Sequence, residues 1–201
     1  MIDTTSANPR FDALRSALYH RERKSFFAKL DRSLTLLIVT FGAGVMGKVA
    51  DVISIQSIWL EFGVVVCGSL QLVLNFSERA NVHAYLQKKY FEKLAEMEAY
   101  GFNDPVAIRR WCAELAELCS DEPTQLRALD AVIFNQALDA LATCDEERQT
   151  YRQNVAWWQY LLRHVLAFHN ANFHGTPAQD TSIGLLPRKP PMRKRWRSRG
   201  S

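Results

Sequence analysis

The sequence predicts an all-α protein made of a two-helix transmembrane hairpin and a cytoplasmic helical bundle. Three observations predict this fold: an apolar region from Leu34 to Phe76, charged sequence on both sides of it, and helical spacing of apolar residues in the flanks. Within the apolar region the formally charged side chains are Lys48, Asp51 and Glu61. The averages of the 201-residue chain, 23% charged residues and a mean hydropathy of −0.17, conceal this uneven distribution.

The segment before the hairpin is predicted to be a short polar tail followed by a basic helix. Residues 1–9 are polar and are expected to be disordered. Residues 10–31 carry apolar side chains at helical spacing with basic side chains between them, which predicts an amphipathic helix that reaches a membrane surface. The apolar positions are Phe11, Leu14, Leu18, Phe26 and Leu30.

The hairpin is predicted over residues 32–76. Its first span, Leu34 to Ala50, is close to the lower limit of about 17 residues needed to cross a bilayer. The second span is placed at Ile58 to Phe76, with the turn around Asp51 to Ser57. Lysines and arginines flank the hairpin rather than its turn, so the positive-inside rule places both termini on the cytoplasmic side of a bacterial inner membrane.

Residues 77–172 are predicted to form the cytoplasmic helical domain, and residues 173–201 a disordered basic tail. Ser77 is expected to cap the first helix of this domain, which ends near Tyr100. Three further helices are expected, starting at Asn103-Asp104-Pro105, running from Asp121-Glu122-Pro123 to about Cys144, and running from Asp145 to Asn172.

Small residues in the two spans predict close helix packing. Gly42, Ala43, Gly44 and Gly47 lie in the first span, and Gly68 lies in the second. Small side chains let helix backbones approach each other in a membrane. Two interpretations are open: these residues pack the two helices of one hairpin, or they assemble several hairpins into a homo-oligomer that forms a pore.

Polar residues inside the predicted spans form a second group. Glu61 is expected to pair with Lys48 near the outer face, because an isolated charge is costly in a bilayer. The alternative is a Glu61 side chain that lines a pore or senses protons. Gln71 is placed for a hydrogen bond between the two helices or for simple packing.

Basic side chains near the hairpin predict contact with anionic lipid headgroups, consistent with the net charge of +4. Nucleic acid is a competing partner, since its phosphates attract the same charges, and a merely solvated tail is a third interpretation. The candidate headgroup contacts are Arg21, Arg23 and Lys24 before the first span, and Arg193, Lys194, Arg195, Trp196 and Arg197 in the tail.

The sequence carries no sign of an enzyme, a metal site or a cofactor. Phosphate-binding, serine-hydrolase, zinc-protease and dinucleotide motifs do not occur. The five-residue spacing of His164, His169 and His174 does not place them on one helix face for metal binding. The four cysteines form no CxxC pair and are expected to be free thiols. The aromatic segment from Trp157 to Phe168 is expected to pack in the helical domain, with a membrane interface as the alternative.

Four segments carry a family resemblance. They are Tyr19-His20 with Arg23 and Phe26-Phe27, Phe76-Ser77 with Ala80 and His83, Asp121-Glu122-Pro123 with Arg127-Ala128-Leu129-Asp130 and Asn135, and Trp157-Trp158 with Arg163-His164. Together they resemble a group of uncharacterised bacterial and prophage two-helix membrane proteins, over most of residues 19–168. That group is similar in layout to SLATT domains, two-span effectors of bacterial conflict systems that are thought to form pores. The first span is shorter here, and the basic tail has no counterpart.

The resemblance implies a cytoplasmic sensing or docking domain that controls a membrane hairpin. Its docking candidates are Asp121, Glu122, Arg127, Asp130 and Asn135. A structural interpretation competes with it: Asp121 and Glu122 also suit a helix N-terminus, and Arg127 and Asp130 are spaced to pair on one helix face.

These patterns favour a non-enzymatic integral membrane effector that oligomerises through its hairpin and perturbs the inner membrane, in phage defence or phage–host conflict. The second hypothesis is a membrane-tethered interaction module whose helical domain or basic tail recruits a protein or nucleic-acid partner. The third is a soluble helical protein that buries residues 34–76 in its core.

Overall fold

The computed structural model describes residues 8–46, 57–142, 144–168, 171 and 173. Within these residues the regular secondary structure is entirely helical and no strand occurs, which confirms the all-α prediction. The helices are α1 (Pro9–Met46), α2 (Ser57–Leu74), α3 (Phe76–Tyr100), α4 (Pro105–Ser120), α5 (Arg127–Leu141), α6 (Asp145–Tyr151) and α7 (Trp157–Leu162).

Helix α1 is continuous across the point where the sequence suggested a basic helix followed by a separate span. From Arg10 to Phe41 no glycine or proline interrupts it, so the backbone hydrogen bonds continue through Ser33. At a rise of about 1.5 Å per residue, a helix of 38 residues is about 57 Å long. Helix α1 therefore contains both the predicted basic helix of residues 10–31 and the described part of the predicted first span.

Helix α1 lies antiparallel to both α2 and α3. Near its start, Arg10 Nε pairs with Glu98 Oε1 of α3 at 2.5 Å. Further along, the amide of Gln71 in α2 donates to Asp31 Oδ1 at 3.1 Å. The partner's residue number falls as the number in α1 rises, which defines the antiparallel register.

Asn75 joins α2 to α3 with a left-handed backbone conformation, φ 43°. Asparagine tolerates this conformation better than most residues do. Backbone hydrogen bonds from Asn75 N to Gln71 O and from Arg79 N to Asn75 O continue across the junction at 3.1 and 3.2 Å. The prediction that Ser77 caps α3 was wrong, because Asn75 occupies the cap position and Ser77 lies in the first turn.

Among the described residues, one helical stretch, Ile58–Tyr100, is long and apolar enough to cross a membrane. Its most apolar window has a mean hydropathy of 1.6, and none of that window is buried. An exposed apolar surface of this size is typical of contact with a membrane or a protein partner. Since one candidate span is present among the described residues, the predicted two-span hairpin is not confirmed, and residues 47–50 of its first span lie outside them. The exposed large apolar side chains of α1 and α2 are Leu36, Leu37, Val39, Ile58, Trp59, Phe62, Val65, Val66, Leu70, Leu72 and Val73.

The buried core lies at the other end of the molecule, where α4 and α5 cover the pair formed by α1 and α3. One cluster centres on Tyr90, Met97 and Trp111, which are 1% exposed or less. A second cluster joins α1 to α5 through Tyr19 and Ile133. Helix α1 therefore contributes its first half to this core, while its second half carries exposed apolar side chains.

Two of the predicted helices differ in the structure. The third begins at Arg127 instead of Asp121, because residues 122–126 form an irregular connection. The fourth is divided into α6 and α7 by residues 152–156. The second begins as expected, with Asp104 Oδ1 accepting a hydrogen bond of 2.8 Å from Val106 N and Pro105 in the first turn.

Candidate functional site

A buried polar network occupies the junction of α1, α3 and the α4–α5 connection. His20 comes from α1, His83 and Tyr90 come from α3, and Glu122 comes from the connection. His83 and Tyr90 are seven residues apart, so they lie on the same face of α3. The side chains of His20 and Glu122 are 0% and 3% exposed, so the network is closed to bulk water.

The network is a chain of hydrogen bonds that converges on one carboxylate oxygen. Glu122 Oε1 lies 3.0 Å from His20 Nε2 and accepts a 2.5 Å hydrogen bond from the Tyr90 hydroxyl. Glu122 Oε2 accepts from Gln125 Nε2 at 2.6 Å. On the other side of His20, its Nδ1 lies 2.8 Å from His83 Nδ1. We call Glu122, His20 and His83 the histidine relay.

The short Nδ1–Nδ1 contact fixes how protons are arranged in the histidine relay. One of the two nitrogens must carry a hydrogen and the other must present a lone pair. With a neutral His20 that donates from Nε2 to Glu122, His83 donates and His20 accepts. In the opposite arrangement His20 donates from Nδ1 and His83 accepts. In both arrangements one hydrogen bond joins α1 to α3.

Burial shifts the charged states of these groups. Burial, the neighbouring His20 and Arg23 lower the pKa of His83 to about 4, so this ring is neutral at pH 7. Burial alone would raise the pKa of Glu122, but hydrogen bonds from His20, Tyr90 and Gln125 together outweigh it and keep that pKa below its usual value. Burial and the bond to Glu122 raise the pKa of Tyr90.

Aromatic rings fix the position of the histidine relay. The Tyr90 ring stacks on His20 with centroids 5.7 Å apart, and the Phe27 ring stacks on His83 at 5.6 Å. The guanidinium of Arg23 lies 4.5 Å from the centroid of Phe27. The imidazoles therefore lie between rings that resist their reorientation.

A cavity of about 340 Å³ adjoins the buried polar network, and Tyr90 belongs to both. Arg15 and Asp130 line the cavity and form a bidentate ion pair. Arg15 Nε lies 2.8 Å from Asp130 Oδ1, and Arg15 Nη2 bonds to Asp130 Oδ2. Burial raises the pKa of Cys112 and of Cys119, which keeps both thiols protonated and poor nucleophiles. The other lining residues are Asp12, Ser16, Tyr19, Leu115, Ala116 and Gln125.

The docking candidates are dispersed rather than gathered into one surface. Asp121 is exposed at the end of α4, whereas Glu122 is buried in the histidine relay instead of lying at a helix N-terminus. Asp130 pairs with Arg15 across the cavity. Asn135 exchanges two hydrogen bonds of 2.8 Å with the backbone of Gln153, so it fastens the α6–α7 connection to α5.

Arg127 is exposed in the first turn of α5. The Glu122 side chain is buried, so these two docking candidates lie in different environments.

The hairpin candidates divide into contacts inside the hairpin and positions on its surface. Gln71 bridges the two helices through Asp31 and Thr35, with 3.1 Å to each. Glu61 and Ala43 are exposed on α2 and α1. An added Cβ on Gly42 or Gly68 meets no described atom within 4 Å. Gly44 lies within α1, whereas Gly47 and Lys48, and with them the predicted Lys48–Glu61 pair, fall outside the described residues.

Gly63, a further small residue of the predicted second span, lies directly against the Phe41 ring of α1. A Cβ on Gly63 would lie 2.8 and 2.9 Å from two ring carbons of Phe41. No real side chain approaches that closely, so only glycine lets α2 rest on the Phe41 ring.

The headgroup candidates also differ from one another. Arg21 and Lys24 are exposed, as lipid contact requires. Arg23 is half-buried and donates from Nη1 to the backbone oxygen of His164 at 2.8 Å, so it has a structural role. The five tail candidates, Arg193, Lys194, Arg195, Trp196 and Arg197, lie outside the described residues.

The sequence reasoning did not single out the histidine relay. His20 and His83 each lie on the apolar stripe of a helix, where a histidine must find a polar partner. That signal was present, but their pairing across 63 residues required the antiparallel register of α1 and α3.

Comparison with known proteins finds no matching family model, no matching curated protein and no matching solved structure. The resemblance to two-span conflict effectors therefore stays a prediction based on the sequence segments given above.

Proposed function

We propose that this protein is a non-enzymatic integral membrane effector. Its two apolar helices cross the inner membrane of a bacterium as a hairpin with both termini in the cytoplasm, and several hairpins assemble to perturb that membrane. The layout shared with SLATT domains supports phage–host conflict as its setting.

The observation that carries this proposal is the outward surface of the hairpin. Large apolar side chains on both helices are exposed, for example Leu36 at 66% and Leu72 at 83%. Gly63 packs against the Phe41 ring, and this contact inside the hairpin requires a glycine. Gly42 and Gly68 have free space around them, so they leave notches that a neighbouring hairpin can fill.

In this proposal the histidine relay of the helical domain controls the hairpin. Helix α1 is continuous from His20 in the histidine relay to the apolar residues that begin at Leu34. A proton or a ligand that changes the bonding between His20 and His83 acts directly on the packing of α1 against α3. Helix α1 also belongs to the proposed hairpin, whose other helix, α2, is joined to α3 at Asn75.

The test compares three variants of the full chain expressed in bacteria. Gly42→Leu and Gly68→Leu fill the notches at positions where an added Cβ meets no described atom within 4 Å, whereas Val73→Leu is a matched change at a side chain that is 80% exposed. We expect all three to resist alkaline extraction from membranes. The two glycine variants should lose cross-linked oligomers and depolarisation, and Val73→Leu should retain both.

Two results would reject the effector proposal. Alkaline release of the wild-type protein would remove the membrane assignment altogether. Retention in the membrane, with no oligomer and no change in membrane potential under any trigger, would leave the hairpin as an anchor.

The cavity beside the relay favours a second candidate, a membrane-tethered interaction module. Its volume of about 340 Å³ and its charged pair Arg15–Asp130 suit recognition of a small polar group. Replacing the hairpin with an unrelated two-span anchor distinguishes the candidates. A recruiting module keeps its activity after the exchange, and a membrane-perturbing effector loses it.

A further inference from the structure

The segment from α7 to Leu166 exposes an unusual amount of apolar surface for part of a helical domain. The sequence predicted packing in the core, but α7 has no buried residue. Trp157, Leu161 and Val165 are 79%, 70% and 68% exposed, and they are spaced four residues apart. The remaining exposed apolar side chains of this segment are Trp158, Tyr160, Leu162 and Leu166.

Contacts with α1 place this segment next to the start of the hairpin. The His164 ring stacks on Phe26, with centroids 4.5 Å apart and planes 5° apart. Arg23 holds the backbone oxygen of His164 at 2.8 Å. Phe26 precedes Leu34, the first apolar residue of the predicted span, by eight residues, or about 12 Å along the helix.

The hairpin's second helix reaches the same level. The Phe76 ring, where the predicted second span ends, lies 6.2 Å from Phe27. The exposed surface of residues 157–166 is therefore close to the level where the apolar surfaces of α1 and α2 end.

The chemistry of the segment fits a lipid headgroup layer better than a second copy of this chain. Tryptophan and tyrosine favour the boundary between water and hydrocarbon. Residues 152–168 contain no aspartate or glutamate, whereas Arg163 lies 3.9 Å from the Tyr160 ring centroid. Arg21 and Lys24 are exposed on the adjacent helix. This charge attracts anionic headgroups and repels a second basic surface.

We propose that residues 157–166 dock onto the anionic membrane surface beside the hairpin and hold the helical domain against the bilayer. Trp157, Leu161 and Val165 enter the headgroup layer, while Arg163 stays among the phosphates. This inference rests on the proposed insertion of the hairpin.

The experiment uses the full chain, with all four native cysteines replaced by serine, in vesicles of phosphatidylcholine and phosphatidylglycerol. A nitrobenzoxadiazole label is attached at one of three positions: Leu161→Cys in the segment, Val65→Cys in the hairpin, and Ala99→Cys at the far end of α3. All three native side chains are exposed, so labelling leaves the core intact. Brominated lipids then quench labels that lie in the bilayer.

We expect quenching of the V65C and L161C labels and none of the A99C label. Quenching of L161C should decrease when phosphatidylglycerol is omitted, because the flanking charges then lose their partners. Quenching of V65C without quenching of L161C overturns the docking proposal and leaves the hairpin assignment intact. A blue-shifted but unquenched L161C label also overturns it, since the segment then contacts protein. Failure to quench V65C rejects the membrane insertion on which both proposals depend.

Discussion

The Nδ1 atoms of His20 and His83 face each other at 2.8 Å, so a buried hydrogen bond joins α1 to α3, the two main helices of the domain. Glu122 Oε1 lies 3.0 Å from the opposite nitrogen of His20. Helix α1, which carries His20, continues into the apolar region that begins at Leu34. The histidine relay therefore fixes the packing of α1 against α3 at a point 14 residues before that region.

We expect His83 to make the folded protein less stable in mild acid. Burial, His20 and Arg23 hold its pKa at about 4, below the ordinary 6.5. Between these values the unfolded chain binds a proton that the folded chain does not, so the free energy of unfolding falls as the pH drops. The contribution of His83 to the free energy of unfolding is complete above about pH 6.5. Between about pH 6.5 and pH 4 it decreases by at most about 1.4 kcal/mol per pH unit.

Thermal unfolding in detergent, followed by near-UV circular dichroism between pH 7 and pH 5, measures this dependence. His83→Gln should reduce the loss of stability in acid. His164→Gln is the matched comparison, because burial and the neighbouring Arg163 also lower the pKa of His164 to about 4. The double variant should lose the least stability between pH 7 and pH 5. If its stability falls with pH as steeply as that of the wild type, the two histidines do not cause the loss in acid.

Removal of the Glu122 side chain should destabilise the helical domain strongly. Glu122→Ala leaves His20, Tyr90 and Gln125 without their shared acceptor. Breaking a buried charged network in this way costs about 3–5 kcal/mol. Urea unfolding measures the loss. Asp121→Ala, at the neighbouring exposed carboxylate, should change stability by less than about 0.5 kcal/mol, and equal effects of the two substitutions would argue against the network.

Asn135→Ala should loosen the α6–α7 region without unfolding the core. The amide of Asn135 both donates to and accepts from the backbone of Gln153, at 2.8 Å in each case. Loss of these bonds should cost about 1–3 kcal/mol and increase hydrogen exchange in residues 152–168. Gln136→Ala, at the next and exposed position, is the control. Unchanged exchange in Asn135→Ala would show that this region is held by other contacts.

Gly63→Ala should disturb the hairpin, because the new Cβ would lie 2.8 Å from the Phe41 ring. Forcing one carbon into such a contact costs about 1–3 kcal/mol. Gly68→Ala has free space and is the matched control. Protease resistance of the hairpin in membranes measures the effect, and Phe41→Leu should restore resistance in the Gly63→Ala variant. Equal resistance of the two glycine variants would contradict the close contact.

Two features were predictable from the sequence alone: the helical class and an apolar helix long enough to cross a membrane. Spacing of apolar residues and runs of apolar residues are local properties, so they are visible without the partners. The start of α4 was predictable for the same reason, because Asp104 and Pro105 act within one helical turn. Helix boundaries were harder to predict. Helix α1 is continuous where a basic helix and a separate span were expected, and α6 and α7 are two helices where one was expected.

The pairing of polar residues depended on how the helices pack. Glu122 looked like a helix cap because carboxylates suit helix N-termini, but burial against His20 and Tyr90 outweighed that local preference. Asp130 found Arg15, which is 115 residues away in the chain. The segment after Trp157 had enough apolar side chains for a core, yet the position of Phe26 placed it beside the hairpin. Long-range pairing depends on the register of packed helices, which short sequence patterns do not encode.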